Sequence, residues 1–198
     1  MSVRGIDRFL RASGRRAWRA ALACFGVLVL SASGGNGSQA SEYELKAALL
    51  HKFVKYVEWP TARFSDASAP IVIGVLGKDP FGEVLERTFG GKKHGERPFE
   101  LVRFKDVDDG RRCHVLFVPQ GERNQEKRLL QAVAGQSVLV VGESSGFAAR
   151  GGTINFYIED EKHLRFEINA DAAKAEGLAI SSNLLKLARI VRDEREGR

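Results

Sequence analysis

Apolar positions along this chain fall into blocks whose spacing switches between helix and strand. Ala47, Leu50, Val54 and Val57 recur at helical intervals, and Leu45, Leu49 and Phe53 widen that stripe. Ser41 and Glu44 in front of it have the spacing of a capping box, which predicts a helix starting there. Trp59-Pro60 ends it, because the residue before a proline is driven out of the α region. Ile71 to Leu76 is a continuous apolar run of strand length, the pattern of a strand buried on both faces. Asp79 stands as N-cap and Pro80 as first residue of a helix through Val84, Leu85 and Phe89.

The alternation continues. Phe99 to Phe104 reads as a strand, His114 to Val118 as a short buried one, Glu122 to Ala134 as a helix and Ser137 to Val141 as another strand. Strands alternating with helices predict an α/β fold: a mostly parallel sheet flanked by helices on both faces. The last section changes style. Thr153 to Ile158 and Leu164 to Ile168, split by a short polar stretch, predict a C-terminal antiparallel hairpin. Asn169 is placed to cap a short helix, and Ser181 or Ser182 a terminal one burying Leu184, Leu185, Ala188 and Val191.

Residues 1–40 read differently. Six arginines (Arg4, Arg8, Arg11, Arg15, Arg16 and Arg19) face only Asp7, an apolar run from Ala20 to Ala32 follows, and Ser38-Gln39-Ala40 offers a small-residue cleavage site. The run is shorter than the roughly 20 residues that span a bilayer, so a cleaved secretory signal peptide is expected rather than an anchor. Arg15-Arg16 lacks the flanks of a twin-arginine signal, and Cys24 sits too early for a lipoprotein site. The expected domain is a single one, residues 41–198, exported and with no direct membrane insertion after signal cleavage.

Removing the leader changes the charge. The whole chain carries 31 basic and 25 acidic residues, a formal +6. Residues 41–198 keep 25 against 24, with no clustering of basic residues along the sequence, so no nucleic-acid partner is expected. Cys113 becomes the sole thiol, unable to close an internal disulfide and expected as a buried small hydrophobe.

Candidate chemistry is sparse. Gly74 to Asp79 lies where a phosphate loop would, but two residues rather than four separate its glycines, and Asp79 follows Lys78 where Ser or Thr is needed. His51, His94, His114 and His163 show no zinc spacing, Ser144-Ser145-Gly146 and Ser181-Ser182 form no nucleophile elbow, and Asp106, Asp108 and Asp109 read as a solvated loop. No catalytic residue, metal site or cofactor is expected, and the chain is not expected to be an enzyme. Phe147, Phe156, Phe166 and Glu167, an aromatic-rich segment with a fixed charge, form the expected partner-binding surface. Gly77, Lys78 and Asp79 form a possible anion or ligand site at a strand end beside a helix N-terminus.

Three segments in order carry a family resemblance. Glu44 to Pro60 (E-L-K-A-A-L-L-H-K-F-V-K-Y-V-E-W-P) looks like an opening helix closed by an aromatic-proline step. Cys113 to Val118 looks like a C-H-hydrophobic strand, and Gly151-Gly152, Arg165 to Asn169 and Leu184 to Ala188 complete the pattern. Together they resemble the YfiR-like family of bacterial periplasmic regulators. The resemblance implies binding and repression of an inner-membrane diguanylate cyclase through its periplasmic portion, and with it control of cyclic-di-GMP signalling and biofilm formation. It also implies a homodimer. The namesake's disulfide-dependent stability is a point of departure, because only Cys113 remains here. The alternative is a periplasmic small-ligand-binding receptor without a cyclase partner.

Overall fold

The computed structural model describes residues 36–193, all within a compact unit of residues 34–198. The expected leader lies outside the described residues apart from positions 36–40, which open helix α1 (Asn36–Tyr56). Ser41 is therefore inside a helix rather than at its N-cap, and Glu44 reaches Arg87 (3.5 Å) instead of closing a capping box. After α1 a two-residue strand, β1 (Val57–Glu58), precedes the proline.

The βα alternation follows as β2 (Ile71–Leu76), α2 (Val84–Phe89), β3 (Lys93–His94), β4 (Arg97–Phe104), β5 (Val115–Val118), α3 (Glu126–Val133) and β6 (Leu139–Gly142). Then come β7 (Ile154–Glu159), β8 (His163–Asn169), α4 (Ala170–Ala175), β9 (Ala179–Ile180), α5 (Ser182–Leu185) and β10 (Arg189–Val191). Eight strands form one sheet in the order β10-β8-β7-β6-β5-β2-β4-β3. The β4, β2, β5, β6 and β7 neighbours pair in parallel, while β7 and β8 form the antiparallel hairpin. Its turn puts Asp160 (φ 50°) and Glu161 (φ 58°) in the left-handed region, the twist a tight hairpin needs.

Both faces are covered. On one, α1 packs against α2, and Leu50, Phe53 and Val54 bury against Ile73, Val75, Phe117, Val141, Phe156 and Phe166. On the other, α3 and the 3-10 segment Val107–Arg112 cover Leu76, Leu116, Val118 and Val140. Cys113 is fully buried there, its Sγ occupying the space a Cβ on Gly74 would need (2.3 Å). Burial pushes the thiol up to about 12, so it is a packing group and not a surface nucleophile.

Several sequence expectations are corrected. The helix after β2 begins at Val84, not Pro80. Asp79 instead closes a tight turn by accepting from the Phe81 N–H (2.7 Å). The terminal helix is a single turn, capped by Ser181, and the chain then extends into β10, which pairs in parallel with β8 and carries Val191. Strands β3, β1 and β9 had no period long enough to read.

Candidate functional site

The chain leaves β2 by α2 on one face toward β4, and leaves β5 by α3 on the other face toward β6. Neighbouring strands whose connections depart to opposite faces leave a gap beyond their carboxyl ends, where ligands of open α/β sheets bind. A crevice of about 860 Å³ lies there. The loops after β2 (Lys78, Asp79, Pro80) and β5 (Pro119 to Glu122) form its rim, Glu143 after β6 its centre, and Phe156, Tyr157, Ile158 and Leu164 an apolar wall. Helix α1 closes it with Glu42, Tyr43 and Lys46, spaced to share one face.

Its polar centre is a buried charge cluster. Lys46, 4% exposed, donates to Glu143 Oε2 (2.5 Å) and also pairs with Glu42. Glu143 Oε1 accepts from the Tyr43 hydroxyl (3.1 Å) and the Gln120 amide (2.9 Å). Burial raises the Tyr43 pKa, and the Glu143 carboxylate adds to the rise, so this hydroxyl stays protonated as a donor. Buried ions hold only when paired and fully hydrogen-bonded, and here three elements converge to do so. Such a pre-ordered array can bind polar groups of a ligand while the Tyr157–Ile158–Leu164 wall contacts an apolar part.

The structure places the expected residues as follows. Lys78 and Asp79 line this crevice, yet Asp79 is held by Arg103 Nε (2.6 Å) and Gly77 lies under the Glu122 carboxylate. The Lys78 amide donates to Glu122 Oε1 (3.4 Å), and no helix begins until Val84. The loop's N–H thus faces a carboxylate, so the backbone of Gly77–Asp79 is not a preformed anion seat, while the Lys78 and Asp79 side chains line the crevice.

The expected partner surface is corrected too. Phe147 is 0% exposed and wedged between Gly142 and Gly152, where either Cβ would meet its ring within 2.4 Å. Phe156 (1%) and Phe166 (8%) face Phe53, and alternation along the hairpin sends both rings into the core. Glu167 is buried, accepting from Asn155 Nδ2 (3.1 Å) and pairing with Arg189 of β10. Three of these residues belong to the hairpin and Phe147 to the turn before it, and all four are buried rather than on an exposed face. Sequence reasoning missed Lys46, Glu143 and Tyr43: each looked like an ordinary helix or loop residue, and only α1 crossing the end of β6 brings them together.

A sequence profile described as YfiR/HmsC-like matches residues 43–189, which include Tyr43, Lys46 and Glu143 of the crevice and nearly all of the sheet. The chain belongs to the YfiR/HmsC-like family. No curated protein sequence matches it. Among solved structures it is similar to the ABC domain in complex with L-Trp from Streptococcus pneumonia, at 11% identity and a TM-score of 0.50. That alignment covers 75% of this chain but only 60% of the other, so this chain spans less than two thirds of that domain and the likeness is one of fold. No helix among the described residues is long and apolar enough to cross a membrane.

Proposed function

We propose that this protein is a periplasmic regulatory protein that binds and represses an inner-membrane diguanylate cyclase, lowering cyclic-di-GMP output and biofilm formation. The observation that carries this reading is membership of the YfiR/HmsC-like family over residues 43–189. The arginine-rich leader supports export, and the protein acts by recognition, as a homodimer, rather than by catalysis. The test is intracellular cyclic-di-GMP in the native host with and without the gene. Deletion should raise it, and the full chain should restore it while a form lacking residues 1–40 should not. Unchanged cyclic-di-GMP on deletion overturns the cyclase assignment.

A second reading, small-ligand binding in the crevice, is favoured by the 860 Å³ volume with its buried Lys46–Glu143 pair. Here the ligand tunes repression by binding at the strand ends. A metabolite screen by thermal shift tests it, because a ligand binding only the folded state raises Tm with dose. Loss of that shift in Glu143→Gln, with wild-type folding, is the expected result. A shift that this variant retains moves the ligand elsewhere.

A further inference from the structure

A second concavity lies away from the crevice. Helices α1 and α2 enclose an open groove of about 440 Å³, to which α1 contributes Glu44, His51, Lys52 and Lys55, and α2 with its exit Arg87 and Lys92. The α1 residues recur seven, one and three positions apart, one continuous helical face. Glu44, the one acidic lining residue, is spent on Arg87 (3.5 Å), which also approaches Glu83 (4.0 Å). Lys52 and Lys55 have no ion-pair partner among the described residues. Lys92 is steadied by donating to the Thr88 carbonyl (2.6 Å), a neutral acceptor.

Three lysines therefore line one groove without an ion-pair partner among the described residues. Its floor is His51, whose ring stands edge-on to Phe89 (5.5 Å) and Phe99 (5.6 Å). Burial lowers the His51 pKa first, and the charges of Lys55 and Lys92 with nearby His94 lower it further, so the ring lies in a positive field. Lys52 and Lys55 are three positions apart on α1, and the packing of α2 on α1 brings Lys92 beside them.

We infer that this α1–α2 groove binds a phosphate group, either free or as the headgroup of an anionic phospholipid. A dianionic or diester phosphate offers several acceptor oxygens to several point-charge donors at once, which suits lysines around a concave floor better than a carboxylate would. Its charge also relieves the mutual repulsion of Lys52, Lys55 and Lys92, and the open groove admits a substituted phosphate.

The test uses protein purified after expression of the full-length chain. Inorganic phosphate is titrated while the His51 ring resonances are followed by NMR. In parallel, the protein is sedimented with vesicles of phosphatidylcholine alone or mixed with phosphatidylglycerol. Saturable binding in at least one arm is expected. The Lys52→Gln/Lys55→Gln variant should bind roughly twenty-five-fold more weakly, about fivefold for each lysine. The equally neutralised Lys127→Gln/Lys174→Gln variant, altered outside the groove, should bind as wild type. Response to phosphate alone identifies a free anion, and response only to phosphatidylglycerol vesicles identifies the lipid. Absence of binding in both arms overturns the site, as does binding that the groove variant retains or that both variants lose equally.

Discussion

The two ends of the parallel sheet are built on opposite plans. At the amino ends of β2, β4 and β5 the segment from Trp59 to Pro70 folds back as a plug. Phe64 stacks on His114 (4.6 Å, 9° between planes), with the Arg97 guanidinium 3.6 Å from the other partner of the stack, the Phe64 ring. His114 Nδ1 accepts from the Val72 N–H (3.0 Å), Trp59 Nε1 donates to the His114 carbonyl (3.3 Å), and Arg63 donates to the carbonyls of Arg111 and Cys113. At the carboxyl ends the charges are equally ordered, around Lys46 and Glu143, but they surround an 860 Å³ space instead of filling it. An end closed by its own chain contributes stability, and an ordered end left open is available for binding.

That contrast can be broken or sharpened by experiment. Phe147→Ala sets the scale of ordinary core loss: emptying a fully buried phenyl site should cost about 4 kcal/mol in denaturant unfolding. A loss under about 1 kcal/mol would return Phe147 to the surface. At the open end, Lys46→Ala strands the Glu143 carboxylate and should cost about 3 kcal/mol. Lys46→Met with Glu143→Gln should recover most of it, because the charge then left without a partner is Glu42, whose side chain is a third exposed to water. A double variant no better than the single would show that the pair stabilises the fold directly.

At the sealed end the prediction is a pH dependence. Burial lowers the His114 pKa from 6.5 to about 4, with Arg63 and Arg97 adding to the effect. Between those values the unfolded chain takes up a proton that the folded protein refuses. Stability therefore falls on acidification from pH 6.5 to 4, by roughly 2–3 kcal/mol. His114→Gln should flatten that window in unfolding curves across pH, and an unchanged slope would assign it to other groups. The smallest effect is Gly77→Ala at the rim, costing about 1–2 kcal/mol. Its φ of 69° disfavours a side chain, and the new Cβ would lie 1.9 Å from a Glu122 carboxyl oxygen. A wild-type melting temperature would mean that Glu122 swings aside freely.

Much of the fold was legible where a local pattern carried it. The run Ile71–Leu76 is strand β2, Thr153 to Ile168 holds the hairpin, and Asn169 caps α4 by accepting from the Ala172 N–H (2.9 Å). These depend on period, turn and cap chemistry among residues a few positions apart. The end of the chain shows where that ceases. Leu184 to Val191 has a helical stripe, yet Arg189 to Val191 is strand β10, held on β8 and tied by Arg189 to Glu167. Tertiary pairing there overrides a weak local preference.

The sequence by itself determined the α/β alternation, the aliphatic runs that must leave water, and the resemblance to a regulatory family. Hydrophobic periodicity encodes those, because burial depends on each residue's own face of its element. Only the tertiary structure decided where charge gathers. Lys46 and Glu143 lie 97 positions apart, and the groove lysines come from α1 and from the exit of α2. Coulombic and hydrogen-bond partners are set by distance in space, which chain order does not record. Packing against Phe53, Gly142 and Gly152 moved Phe147, Phe156 and Phe166 from the expected surface into the core, and the crossing of α1 over the strand ends left the crevice open there.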